Sequence, residues 1–270
     1  MQRSDGRAPN EIRPVAFELN IAPHATASLL VSMGNTRVIC AVTIEEAVPR
    51  WMKESRDGAI SGGWLTAEYS MLPYSTEQRK ARDIARGKID GRSSEIQRLI
   101  GRCLRAVVDL EKLGARTIWI DCDVLQADGG TRTAAITGSS VAVALACKRL
   151  VEEKKIAVSP MRKLLAAVSA GVLNEEVIVD LNYEEDKAVS VDLNLAATEE
   201  GDLIEVQASG EEATFARAQL EQMLEFGQQA ITGLIAKQRG VLDDLPRSLP
   251  QSQDPSGAAF ESSRGRDFAQ

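Results

Sequence analysis

The chain has 270 residues, 44% of them hydrophobic and 26% charged. That is enough to bury a full core as one large domain or two small ones, with an ordinary composition for a soluble globular protein. A net charge of −7 argues against a general nucleic-acid binder, and a single histidine, His24, excludes a zincin motif and disfavours a Ser-His-Asp triad.

Other classes fall away on short-range features. Cys40, Cys103, Cys122 and Cys147 form no C-x-x-C pair. They are expected as small buried thiols in a reducing compartment, not as disulfides or zinc ligands. No apolar run approaches the length of a membrane span, and M-Q-R-S-D-G-R lacks the apolar core of a signal peptide. The expectation is a cytoplasmic protein without a membrane partner. The net charge also hides a segregation. Residues 79–105 carry nine Lys/Arg against three Asp/Glu, and residues 175–212 carry thirteen Asp/Glu against one lysine. A basic arm suits a polyanion, and an acidic arm suits a divalent cation or a solvated face.

In chain order, residues 1–14 are charged and turn-rich and read as an extended arm. Residues 15–21, 28–33 and 36–43 read as strands, with Gly34-Asn35 as a hairpin turn. Residues 49–63 read as a mobile loop, and 64–72 as a strand stopped by Pro73. Residues 74–91 are polar and basic. Ser94-Glu95-Ile96-Gln97 fits a capping box. Beyond it Ile96, Ile100, Cys103 and Val107 recur at helical spacing, with Arg98, Arg102 and Arg105 on the opposite face. Residues 117–120 form an apolar strand, and Val141–Leu145 lie in a buried helix. Strands follow at 163–173, 177–181, 190–196 and 203–207, then a long amphipathic helix over 214–241. Residues 243–270 are rich in Ser, Pro, Gly, Asp and Gln and are expected to be disordered. The strands-then-helix rhythm occurs twice, which predicts an internally duplicated α+β domain over residues 1–242.

Gly129-Gly130-Thr131-Arg132 sits where a strand hands over to a helix. Two glycines allow a sharp turn and a close approach to a ligand. The first-turn amides of a helix have no internal partners and favour an anion. Thr131 adds a hydroxyl and Arg132 a planar fork for two phosphate oxygens. A tight turn followed by a surface arginine is an equally good reading of these four residues. Arg92 precedes the expected cap of a second helix and could meet the same anion. Asp180 ends the strand V-I-V-D, Asp186 closes L-N-Y-E-E-D, and Asp192 follows in the next strand. Such carboxylates can converge on Mg²⁺ or position a reacting group. On spacing alone, the plainer reading of Glu184, Glu185 and Asp186 as a solvated turn outweighs it.

The pieces together are more specific than any one. R-S-D-G-R-A-P-N-E-I-R-P, G-N-T-R-V-I-C, T-A-E-Y-S-M-L-P, the run from D-G-R-S-S-E-I-Q to D-G-G-T-R-T-A-A-I-T-G, D-L-N-Y-E-E-D and G-E-E-A-T-F occur in that order. From residue 3 to about 242 the chain resembles the ribonuclease PH family. The resemblance implies a phosphate-dependent 3′→5′ exoribonuclease, a nucleotidyltransferase that trims tRNA 3′ ends and releases nucleoside diphosphates. It implies the ribosomal-protein-S5-domain-2-like α+β fold and a hexameric ring. It carries the phosphate-binding role to Arg92, Gly130, Thr131 and Arg132, and the catalytic, Mg²⁺-linked role to Asp180 and Asp186. It gives Arg79 and Arg82 RNA binding or ring contacts. Tyr74 stands where many members have an arginine, which weakens that basic loop. Ala208-Ser209 replaces a common Gly-Thr. The alternative is a non-catalytic RNA-binding ring subunit of an exosome-like assembly, a class that loses the phosphate or metal residues this chain keeps. A hydrolytic metal-dependent nuclease would have no use for a phosphate cradle.

Overall fold

Alternating apolar and polar residues build the first sheet. Its strands are β1 (Val15–Leu19), β2 (Ala27–Met33), β3 (Thr36–Glu45), β4 (Trp64–Met71) and β5 (Thr117–Gln126). The order is β1-β2-β3-β5-β4, antiparallel except where β4 runs parallel to β5. The computed structural model describes residues 3–53, 62–210 and 213–244. The expected hairpin turn is present, with Met33 opposite Thr36 across Gly34-Asn35. Strand β5 runs six residues past its expected end. There Cys122 and Val124 point into the core while Asp121 and Asp123 face outward, a period-2 pattern that suits a half-buried strand.

Three helices follow or interrupt this sheet: α1 (Arg50–Lys53), α2 (Gly91–Val107) and the single turn α3 (Leu110–Leu113). Helix α2 starts one turn before the Ser94 signal. Ser94 N already donates to the Asp90 carbonyl at 2.9 Å, so Asp90 is the N-cap. Its carboxylate faces Lys80 at 3.6 Å instead of capping the helix. Arg92 therefore lies inside the first turn.

Helix α4 (Thr131–Glu152) is buried along nearly its whole length. One face lies on β2 and β3 and another on β6 (Leu165–Leu173) of a second sheet. Small residues permit this. A Cβ on Gly138 would stand 2.7 Å from Cys40 Sγ and from Val31 Cγ1. By length and composition α4 could cross a membrane, with a mean hydropathy of 1.4 over its apolar window, but 78% of that window is buried within the fold.

The second sheet is antiparallel, in the order β7-β6-β8-β9, with β7 (Glu176–Val179), β8 (Val191–Thr198) and β9 (Leu203–Gly210). Short β7 covers only Ala170–Leu173 of β6. Side chains of α4 satisfy amides on the uncovered edge: Ser140 Oγ accepts from Leu165 N at 3.1 Å, and Thr137 Oγ1 from Ala167 N at 3.0 Å. Between β7 and β8 lies α5 (Tyr183–Ala188), where the sequence suggested only a loop. The signal for it was there, as N-x-x-E: Asn182 and Glu185 form a reciprocal capping box at 3.0 Å in both directions. Helix α6 (Arg217–Asp243) covers β6 and β7.

The result is an α+β fold in which each half is a sheet followed by a long helix. One apolar core joins them, running from Leu29 through Val141 to Leu234. All four cysteines are buried free thiols. Burial pushes Cys103 and Cys147 up to about 12, so neither is a reactive thiolate. The expected disordered tail, apart from residues 243 and 244, and most of the 49–63 loop lie outside the described residues.

Candidate active site

The glycine turn is built by close packing. Gly129 and Gly130 adopt φ of 71° and 63°, which side-chain-bearing residues rarely tolerate. A Cβ on Gly129 would stand 2.3 Å from the Leu181 carbonyl oxygen and 2.6 Å from the Asn182 carbonyl carbon. The turn thus lies flat against the segment entering α5. Thr36 Oγ1 donates to the Gly129 carbonyl at 2.6 Å and accepts from Asp128 N at 2.9 Å. Gly130 is the N-cap of α4 and offers no side-chain cap. The first-turn amides of α4 are left for an anion.

Thr131 and Arg132 open α4, and Arg92 lies in the first turn of α2. Tyr69 on β4 joins them. Its buried hydroxyl donates to Thr131 Oγ1 at 2.8 Å. Burial pushes the Tyr69 hydroxyl up, while the bond to Thr131 and the charges of Arg92 and Arg132 pull it back. The charges of both guanidinium groups thus act on one hydroxyl. Arg132 also reaches Glu95 of α2 at 3.7 Å. Its side chain is only 14% exposed, whereas Glu95 is 49% exposed. The two helix starts thus converge with two arginines, a threonine hydroxyl and open amides, a geometry able to hold a tetrahedral dianion. Tyr69 holds Thr131 in place by donating to its oxygen, which leaves the Thr131 proton to be donated elsewhere.

The acidic side is built quite differently. Asp180 is wholly buried and has φ of 53°. Its Oδ2 accepts from Arg13 N at 2.7 Å and Arg13 Nε at 3.0 Å, and its Oδ1 from Arg13 Nη2 at 2.6 Å. Arg7 Nη1 lies 3.5 Å from the same carboxylate. Buried Arg3 makes two 2.7 Å bonds to Glu185 and donates to the Val179 and Asp180 carbonyls. The expected free arm is thus pinned by three arginines to the β7–α5 turn. Nothing in the pattern of R-S-D-G-R-A-P-N-E-I-R-P announced this. Charged residues are normally solvated, and only the folded chain brings residue 13 beside residue 180.

Asp186 lies on α5 and is exposed; its amide donates to the Asn182 carbonyl at 2.8 Å. Asp192, on β8, accepts from Asn194 Nδ2 at 3.2 Å. A Mg²⁺ held jointly by Asp180 and Asp186 does not fit this arrangement, because both Asp180 oxygens already face guanidinium groups. Among the described residues no three His, Cys, Asp or Glu side chains are grouped to hold a metal.

The basic loop is rooted beside the glycine turn, since Ala127 N donates to the Ser75 carbonyl at 2.8 Å. Arg79 and Arg82 are exposed on it. Burial raises the Asp123 carboxyl, the charge of Arg82 draws it back, and that of Glu68 pushes it up again. Tyr74, the departure noted in the sequence, is 67% exposed.

Residues 11–148 match the 3′ exoribonuclease family, domain 1, and residues 163–230 match its domain 2. Ribonuclease PH of Bacillus mycoides (strain KBAB4) is 51% identical over 244 residues, covering 90% of this chain and 98% of that protein. Ribonuclease PH of Bacillus subtilis (strain 168) is 50% identical over 250 residues, covering 92% and 99%. Among solved structures, an Archaeoglobus fulgidus exosome with RNA bound to the active site matches with a TM-score of 0.72 at 21% identity, over 87% of this chain and 92% of that one. At that identity the likeness speaks for the S5-domain-2-like fold alone.

Proposed function

The chain belongs to the 3′ exoribonuclease family, and from that premise we propose how its site works. It is a phosphate-dependent 3′→5′ exoribonuclease, as its ribonuclease PH relatives at 50% identity imply. An oxygen of inorganic phosphate attacks the terminal phosphorus of the RNA. A P–O–P bond forms, the bond to the penultimate 3′ oxygen breaks, and a nucleoside diphosphate leaves. The proton lost by hydrogen phosphate equals the one gained by the departing 3′ oxygen, so the step balances overall, and a carboxylate suffices to carry it. A chain with one histidine suits that chemistry.

The observation that carries the reading is the convergence of two helix starts, each with an arginine in its first turn: Arg132 of α4 reaches Glu95 of α2, and Tyr69 bonds Thr131. Two anions must meet here, which requires fixed positive charge. We assign Arg132, Thr131 and the Gly130–Arg132 amides to the attacking phosphate, with Arg92 shared between it and the terminal phosphodiester. Asp186 faces the 3′ end and relays the proton toward the leaving oxygen. Asp180 acts through Arg13. No step is routed through Mg²⁺, since the pair Asp180 and Asp186 does not fit it.

The proposed substrate is the 3′ extension of tRNA, and the proposed assembly is the hexameric ring. A monomer with net charge −7 repels RNA at long range. Several copies of the Arg79–Arg82 loop around one opening make a locally positive entrance. The test is to incubate 3′-extended tRNA with and without phosphate and identify the released nucleotide. Diphosphates appearing only with phosphate are expected. Monophosphates would mean hydrolysis, and no release would mean a scaffold subunit.

A further inference from the structure

We infer that Asp128 is a positioning residue that fixes the spacing between the phosphate turn and the helix carrying Asp186. The inference rests on the functional reading above and adds a role that it leaves unassigned. Asp128 directly precedes Gly129-Gly130-Thr131-Arg132, where a carboxylate next to a phosphate site is at first sight a liability. Its two oxygens are turned elsewhere. Oδ1 accepts from Tyr183 N, the first residue of α5, at 3.1 Å. Oδ2 accepts from Asn35 Nδ2, in the β2–β3 turn, at 3.1 Å. The Asp128 amide donates to Thr36 Oγ1, and its carbonyl accepts from Arg13 Nη1, whose other nitrogens hold Asp180.

All the polar groups of this residue are thus engaged, by partners from the β2–β3 turn, the N-terminal arm and α5. Gly129, with no room for a Cβ against Leu181 and Asn182, fixes the same contact from the next position. The cap of α5 is shared: Asn182 takes the amide of Glu185, and Asp128 takes that of Tyr183. Asp186 follows one helical turn after Tyr183. A shift at Asp128 therefore moves the phosphate turn and Asp186 relative to each other. Misplacing reacting groups by about 1 Å costs on the order of 100-fold in rate.

The test compares Asp128→Ala with Asp128→Asn in the full chain. Asparagine keeps an acceptor for Tyr183 N, and Asn35 can flip its amide to face the new nitrogen, so the geometry survives without the charge. The expected result is a kcat lowered about 10- to 100-fold in Asp128→Ala at saturating phosphate and RNA, with the phosphate KM changed far less. Asp128→Asn recovers most of the rate. Hydrogen exchange of the residue 183–188 amides should rise in Asp128→Ala and stay near wild type in Asp128→Asn. An Asp128→Ala enzyme with wild-type kcat and wild-type exchange would overturn the proposal. So would an Asn variant as damaged as the Ala variant, because the charge itself would then be at work. If the wild-type chain releases no diphosphate, the functional reading fails, and the exchange measurement still decides whether Asp128 holds α5.

Discussion

The two sides of the site are held by opposite kinds of contact. On the phosphate side, Gly129 to Arg132 and Arg92 sit at helix starts, where the charge-binding groups are local and partly open to solvent. On the acidic side, Asp180 and Glu185 are buried and bonded to arginines about 170 to 180 residues away in sequence. On the proposed reading the first side receives an ion that is not part of the chain. The second already contains its counter-ions. The lesson is that two motifs of similar prominence in the sequence can serve binding in one place and architecture in the other.

The comparison breaks most sharply at the two aspartates. Asp180→Asn keeps the shape and the left-handed backbone but leaves buried Arg13 without its carboxylate, while Arg7 keeps Asp5 and Glu185. Removing one partner of a buried ion pair costs about 3–5 kcal/mol, so the urea midpoint of Asp180→Asn should fall steeply. Asp186→Asn, on an exposed helix position, should stay within about 0.5 kcal/mol of wild type in stability while losing turnover. Equal stability of the two variants would mean that Asp180 is no anchor.

Next in size is the phosphate side. Arg132→Ala removes a charge-assisted contact to phosphate, costing about 1.5–3 kcal/mol in kcat/KM for phosphate. The fold should be undisturbed, because among the described residues the carboxylate paired with Arg132 is the half-exposed Glu95 at 3.7 Å. Arg92→Ala should behave alike. Phosphate dependence unchanged in both variants would move the anion site elsewhere.

The smallest effect concerns the carboxylates on the first sheet. On the outer face of the first sheet Glu68 and Asp121 are parallel-strand neighbours, and Asp123 follows on β5. Burial, then the charges of Glu68 and Asp123, raises the Asp121 carboxyl above its usual range. A raised carboxyl ionises less readily in the folded chain than in the unfolded one. Its contribution to stability is therefore greatest at acid pH and is lost as pH rises through the raised value. Asp121→Asn should raise the urea midpoint slightly at pH 7, by roughly 0.5 kcal/mol or less after solvent screening. The gain should vanish as the pH falls through the carboxylate range. A gain independent of pH would assign it to packing rather than charge.

The sequence by itself determined the elements whose signals are local. The alternating strands, the small-residue helix α4, the glycine turn at its start and the amphipathic α6 were legible because side-chain periodicity and backbone freedom act within a few residues. The family was legible from several motifs occurring in order along one chain. Even α5 has a readable cap in Asn182 and Glu185, although its six residues give too short a periodicity to mark a helix. What only the tertiary structure decided was partnership. That the N-terminal arm is pinned by Arg3, Arg7 and Arg13, that Asp180 is buried against Arg13 and not open to a cation, and that Asp128 reaches Tyr183 all depend on segments brought together across most of the chain. Burial strips water from a charge and makes a paired neighbour necessary. Which neighbour answers is set by topology, on which local pattern carries no information.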